Sequence, residues 1–179
     1  MGAGKSTAIG FLSFFYNSYD LDQIIEKATD CKISEIFEKK GEKYFREIEK
    51  NIFNMLLDFD NIIIATGGGT LQYYPDLEKL KNKSKVIFLY SSFSILLGRV
   101  KNTERPLAKD IKKFESLYFE RLPFYLQSAD FIVYSDGKDF QDKIIKYLKF
   151  IGFASKKDIE IDIKIDQMVE GIKNDRKRT

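Results

Sequence analysis

Six residues near the start of the chain, Gly2-Ala3-Gly4-Lys5-Ser6-Thr7, have the types and order that bind phosphate. Glycines ahead of a lysine let backbone N–H groups turn inward around phosphate oxygens, and a helix starting behind them adds a favourable dipole. Lys5 can reach terminal phosphates, and the Ser6 hydroxyl suits a magnesium ion. Asp20-Leu21-Asp22 then sets two carboxylates two residues apart at what reads as a strand end, which aims both to one side. One could serve Mg2+ and the other a substrate hydroxyl, although a polar turn or helix cap uses the same pattern. Arg46 has Glu49 three residues on, a spacing that either holds the guanidinium for a bidentate grip on a carboxylate or makes a surface pair. Gly67, Gly68 and Gly69 directly follow an apolar run, where a small ligand could approach the backbone closely or a tight turn could form. Arg105, in the polar stretch "TERPLAKD", could close over a nucleotide and exclude water. Arg121, in "ERLPFY", reads as a helix end just before Pro123.

The elements that must position these residues alternate. A short helix is predicted from Gly4 to about Leu12, then a strand over about 15–19, and helical pieces from Gln23 to Lys40 that Gly41 breaks. A longer helix follows, with Tyr44, Phe45, Ile48, Ile52, Phe53 and Leu56 at helical spacing. "NIIIAT", "KVIFLY" and "ADFIVY" are apolar runs that predict strands, the first of them buried on both faces. Helices are predicted through about Leu80 and over 92–100, 111–121 and 138–150. Strands alternating with helices imply an α/β fold with a parallel sheet. After about residue 150 the character changes: "DIEIDIKID" alternates strictly and the rest is charged, which suits an edge strand or a disordered tail. Residues 1–150 therefore read as the domain and 151–179 as a charged extension.

Composition narrows the chemistry. The 179 residues fit one domain with a sizeable core. Hydrophobic residues make up 44% and charged residues 32%, an ordinary soluble balance without a run long enough for a membrane span. With no histidine anywhere, Ser-His catalysis, His-ligated zinc and a His general base are excluded. The single Cys31 excludes an internal disulfide and a multi-cysteine metal site. The net charge of +3 is modest, so nucleic-acid binding does not follow from it.

Taken in order, "GAGKST", "DLD" leading into "QIIE", "FREIE", "GGG", "RPL" and "ERLPFYLQSAD" resemble the shikimate kinase family across nearly all of residues 1–150. The resemblance implies a three-layer P-loop fold and transfer of phosphate from ATP to shikimate by a cytoplasmic monomer, with neither nucleic acid nor membrane as a partner. It implies that Gly2, Ala3, Gly4, Lys5, Ser6 and Thr7 hold ATP and that Lys5 stabilises the transferring phosphoryl group. By the same transfer, Ser6 binds Mg2+ and Asp20 supports it through water. Asp22 would meet the acceptor hydroxyl as candidate base, Arg46 and Arg121 the shikimate carboxylate, and Gly67, Gly68 and Gly69 the shikimate itself. Arg105 would reach the phosphates from a lid, and Arg99 the adenine face. "RPLA" stands where the family has "RPLL", and the stretch from Lys5 to Asp20 is about two residues short.

One feature of the pattern is out of place. The strand that precedes the phosphate loop, central among five in the resembled fold, is missing before Met1. Its neighbours would face a gap, at roughly 1–3 kcal/mol for each backbone group left unpaired, so weak folding or weak nucleotide binding is expected. The leading expectation is a start assigned to an internal methionine of a longer protein. A truncated gene is the second, and gap-filling by the tail strand the third, which fits badly because a central parallel strand is continuously apolar. Two rivals to the kinase reading remain: a kinase for another small hydroxylated metabolite, and a non-catalytic binding protein.

Overall fold

The computed structural model describes residues 2–101, 110–155 and 157–178. The chain divides into two compact units, one of Ile9–Tyr74 with Ala154–Thr179, the other of Met1–Ala8 with Pro75–Phe153.

In the first unit, strand β1 (Asn17–Asp20) pairs in parallel with β2 (Ile62–Ala65), with Asn17 opposite Ile62 and Asp20 opposite Ala65. Helix α1 (Lys5–Leu12), whose residues through Ala8 count with the other unit, leads into β1, and α2 (Leu21–Thr29) leaves it without a connecting loop. Leu21, Ile24, Ile25 and Ala28 recur at helical spacing along α2 and are its buried stripe. They meet the stripe of α3 (Ile33–Leu56), which buries Phe45, Ile52, Phe53 and Leu56. Leu21, Ile25 and Leu56 have no exposed surface, and full burial of such side chains stabilises by about 1.5–3 kcal/mol each. The break predicted at Gly41 is present: its φ of 81° and ψ of 172° interrupt α3. The short α4 (Thr70–Tyr73) follows the glycine run.

The tail departs from expectation. Residues Ile159–Arg178 form a helix, α9, rather than an edge strand. A strict two-residue alternation contains every i, i+4 pair, so Ile161, Ile165 and Val169 also share one helix face. Ile165 and Val169 are buried, whereas Ile159 and Ile163 are exposed.

In the second unit, β3 (Ile87–Tyr90) pairs in parallel with β4 (Phe131–Tyr134). Helices α5 (Leu77–Lys83), α6 (Phe93–Val100), α7 (Ile111–Ser128) and α8 (Phe140–Phe150) complete it. Leu96, Val100 and Phe114 form a core patch on which Ala3, Phe93, Leu97 and Tyr118 pack. Helix α7 does not end near Arg121 as predicted but runs through Pro123 to Ser128. The residues beyond the proline are anchored: the Tyr125 ring lies 5.1 Å from that of Phe88 on β3.

Among the described residues, four strands form two sheets of two strands each, every strand with one hydrogen-bonded neighbour. Ile62, Ile63 and Ile64 are half-buried, not buried on both faces as the apolar run predicts, and only Ala65 of β2 is buried.

Candidate active site

The phosphate-loop residues belong to the second unit. Gly2 and Gly4 have φ of 78° and 88°, values that L side chains rarely adopt. A Cβ on Gly4 would also stand 3.3 Å from the Phe140 ring, and one on Gly2 3.1 Å from Val100. Helix α1 starts at Lys5, so Lys5, Ser6 and Thr7 are its first turn, whose N–H groups point out of the helix start, an arrangement that suits an anion. Arg99, on α6, donates from Nη1 to the Gly2 carbonyl at 3.0 Å and from Nη2 to the Ser135 carbonyl at 2.9 Å. Nearby, Ser91 donates to Asp136. Arg121 lies on α7 and, with Ala3, Ser91, Tyr118 and Tyr125, lines a cavity of about 70 Å³. Burial raises the Tyr125 phenol, and the charge and hydrogen bond of Arg121 oppose that rise. Burial first, then the neighbouring Tyr90 and the Asp136 charge, push Tyr118 up to about 12.

Asp20, Asp22, Arg46 and the glycine run, expected from sequence to meet the metal and the acceptor, belong to the first unit. Asp20 ends β1 and caps α2, its Oδ1 accepting the Asp22 N–H at 3.0 Å. Asp22 is thus in the first turn of a helix, not on a strand end, and the capping alternative describes Asp20 correctly. Arg46 is held as its spacing allows. Its Nη1 donates to Glu49 at 2.7 Å, and its Nε and Nη2 donate to Glu42 at 3.2 and 3.0 Å. Those three bonds leave two of the five guanidinium donors for an incoming oxygen. The guanidinium also lies 4.4 Å from the Tyr73 ring centroid. Burial works to lower its pKa, and the hydrogen bonds and charges of Glu49 and Glu42 outweigh this and hold it above the ordinary arginine value.

Glu49 is 3% exposed and binds two partners, accepting from Arg46 and, at 2.6 Å, from the Thr70 hydroxyl. The glycines make room for this cluster. A Cβ on Gly69 would lie 2.6 Å from Arg46 Nη2, and one on Gly67 would lie 3.4 Å from both Asp22 Oδ1 and Glu49 Oε1. At these two positions glycine admits the protein's own charged side chains, a use that neither the ligand reading nor the tight-turn reading of the run had named. Gly68, between them, is exposed in the turn.

The structure therefore brings together Asp22, Arg46, Gly67 and Gly69 in one unit and the phosphate loop, Arg99 and Arg121 in the other. Arg105 lies outside the described residues. Thr70 and the Ser91–Asp136 pair were not singled out from sequence. A threonine directly after the glycine run, at a helix start, was the available signal for the first. Among the described residues, no group of three or more His, Cys, Asp or Glu could hold a metal ion, and no helix is long and apolar enough to cross a membrane.

Residues 1–151 match the family profile described as shikimate kinase. The chain belongs to the shikimate kinase family. Shikimate kinase of Lactococcus lactis is 41% identical over 136 residues, 74% of this chain and 82% of that protein. The enzyme of Dictyoglomus turgidum is 38% identical over 150 residues, 79% of this chain and 87% of that one. Among solved structures, shikimate kinase from Acinetobacter baumannii in complex with shikimate superposes with a TM-score of 0.75 at 32% identity, covering 84% of this chain and 88% of that one. The Aquifex aeolicus enzyme gives 0.71 at 31% identity, with 83% and 92% covered. The α/β, P-loop-type fold expected from the sequence is thus the fold of the family.

Proposed function

We propose that this protein transfers the terminal phosphate of ATP to a hydroxyl of shikimate. The observation that carries the reading is the Arg46 guanidinium, fixed by buried Glu49 against Gly69, in a chain whose relatives are shikimate kinases. Such a group recognises a carboxylate on a small acceptor. Arg121 is the second arginine for that carboxylate. Asp22 takes the proton of the attacking hydroxyl as its oxygen bonds to the γ-phosphorus and the bond to ADP breaks. Lys5 and the first turn of α1 neutralise charge on the phosphates, and Arg105 and Arg99 serve the nucleotide. Transfer of this kind needs positioning and charge neutralisation more than covalent help, which suits a chain without histidine.

The donor chemistry supports Mg2+ as the metal: Ser6 and Asp20 each carry a hard oxygen, and a magnesium ion uses one or two protein ligands beside substrate phosphates and water. When bound it would neutralise phosphate charge. The kinase domain is residues 1–150, and 151–179 is an extension to it.

The test compares shikimate with a carboxylate-free polyol of the same ring under Arg46→Ala. The substitution is expected to abolish the preference for shikimate. Equal rates on both acceptors in the parent chain would make the carboxylate reading wrong and favour a kinase for another hydroxylated metabolite.

A further inference from the structure

Helix α9 lies outside the 1–151 match, yet its contacts are not those of a passive tail. Asn17, the first residue of β1, is 2% exposed. Its Nδ2 donates to the Asp158 carbonyl at 3.0 Å and to Asp162 Oδ1 at 3.1 Å, and its Oδ1 accepts the Asp158 N–H at 2.8 Å. A buried amide requires partners, and here they come chiefly from the residues that open α9. Tyr19 donates its hydroxyl to the same Asp162. One turn on, Asp166 pairs with Lys27 of α2 at 2.6 Å, and further along Lys173 pairs with Asp30, at the end of α2, at 3.0 Å. At the far end, Arg176 donates to the Tyr44 hydroxyl of α3 at 2.6 Å and lies 5.7 Å from its ring centroid. Ile165 and Val169 fill the space beneath.

These contacts fall in order on β1, α2 and α3. Those three elements carry Asp20, Asp22 and Arg46, and Tyr44 sits three residues past the break at Gly41 and two before Arg46. We infer that α9 is a strut that fixes the acceptor-binding segments, with Asn17, Asp162 and Arg176 as positioning residues for Asp22 and Arg46. The inference rests on the proposed acceptor role of those two residues. Its consequence is selective. Loosening the far end of α9 releases the segment beyond Gly41 and leaves the phosphate loop as it is.

Arg176→Ala in the full chain tests this, with Arg176→Lys as the conservative variant and a chain ending at Phe153 as the extreme. Arg176→Ala is expected to raise the shikimate KM about three- to tenfold while the ATP KM changes less than twofold, and Arg176→Lys to restore part of the loss. In the same proteins, hydrogen exchange of amides 42–50 is expected to speed up severalfold while that of 87–100 stays constant. If the truncated chain does not fold, the point variants still decide. An unchanged shikimate KM with unchanged exchange would overturn the strut. A parent chain that ignores shikimate would overturn the kinase reading instead, and the exchange rates alone would then judge the strut.

Discussion

Glu49 offers the sharpest single perturbation of the site. It is 3% exposed, and its two oxygens accept separately, one from Arg46 at 2.7 Å and one from Thr70 at 2.6 Å. Glu49→Ala leaves the Arg46 charge without its buried partner and opens a cavity. Removing one member of a buried pair costs about 3–5 kcal/mol. Glu42 still binds the other side of the guanidinium, and the Arg46 side chain is 17% exposed, so the lower end, about 3 kcal/mol, is expected. Glu49→Gln is milder. Its carbonyl accepts from Arg46 and its amide donates to the Thr70 hydroxyl, which can rotate to accept, so both bonds survive and only charge is lost, at about 1–2 kcal/mol. Under the proposed role of Arg46 in holding the acceptor carboxylate, the activity is expected to follow the same order. Urea unfolding gives the stabilities, and steady-state kinetics with shikimate and ATP varied in turn give the KM values. Both variants are expected to raise the shikimate KM, alanine more than glutamine, with ATP KM nearly constant. Parent-like stability and shikimate KM in Glu49→Ala, or an effect confined to ATP, would refute the reasoning.

Gly4→Ala forces a side chain into φ of 88° and against the Phe140 ring. It is expected to destabilise the loop by about 1–2 kcal/mol and to weaken nucleotide binding at least tenfold, read by titration with a fluorescent ATP analogue. Arg99→Ala removes the bonds to the Gly2 and Ser135 carbonyls, and its kinetics are expected to show a raised ATP KM with the shikimate KM unaltered. The Lys32 hydrogen bond, helped by the Ile33 N–H and opposed by burial, holds Glu26 below its ordinary value of 4.5. A carboxylate lowered in the folded state contributes stability above its unfolded value and loses it as pH falls through the folded value. The urea midpoints of the parent and Glu26→Gln are therefore expected to differ at about pH 6 and to converge as the pH falls below the ordinary value of 4.5. A difference that persists or grows in acid would contradict that account.

What the sequence reveals depends on how local the cause is. The phosphate loop, the break at Gly41 and the apolar strands were legible because backbone geometry and short apolar runs are local properties. The Arg46–Glu49 pair was legible as a spacing, but its burial was not. An i, i+3 pair looks the same on a solvated surface, and only the arrival of Gly69 from the turn after β2 and Thr70 from the start of α4 makes it an enclosed site. Helix α9 differs from the strand its alternation predicts because that alternation satisfies both periods. The deciding partners, Asn17 and Tyr19, lie about 140 positions away. Pro123 misled for a related reason. It lowers local helix preference, and the contact of Tyr125 with Phe88, invisible from sequence, holds the helix past it.

The central claim is the transfer itself, and product identity tests it most directly. The full chain is incubated with ATP, Mg2+ and shikimate, and the mixture is followed by mass spectrometry and phosphorus NMR. The account predicts a shikimate monophosphate appearing in step with ADP, and its loss in Asp22→Asn with the fold retained. ADP formed with inorganic phosphate and no phosphorylated acceptor, or an Asp22→Asn chain as active as the parent, would contradict it.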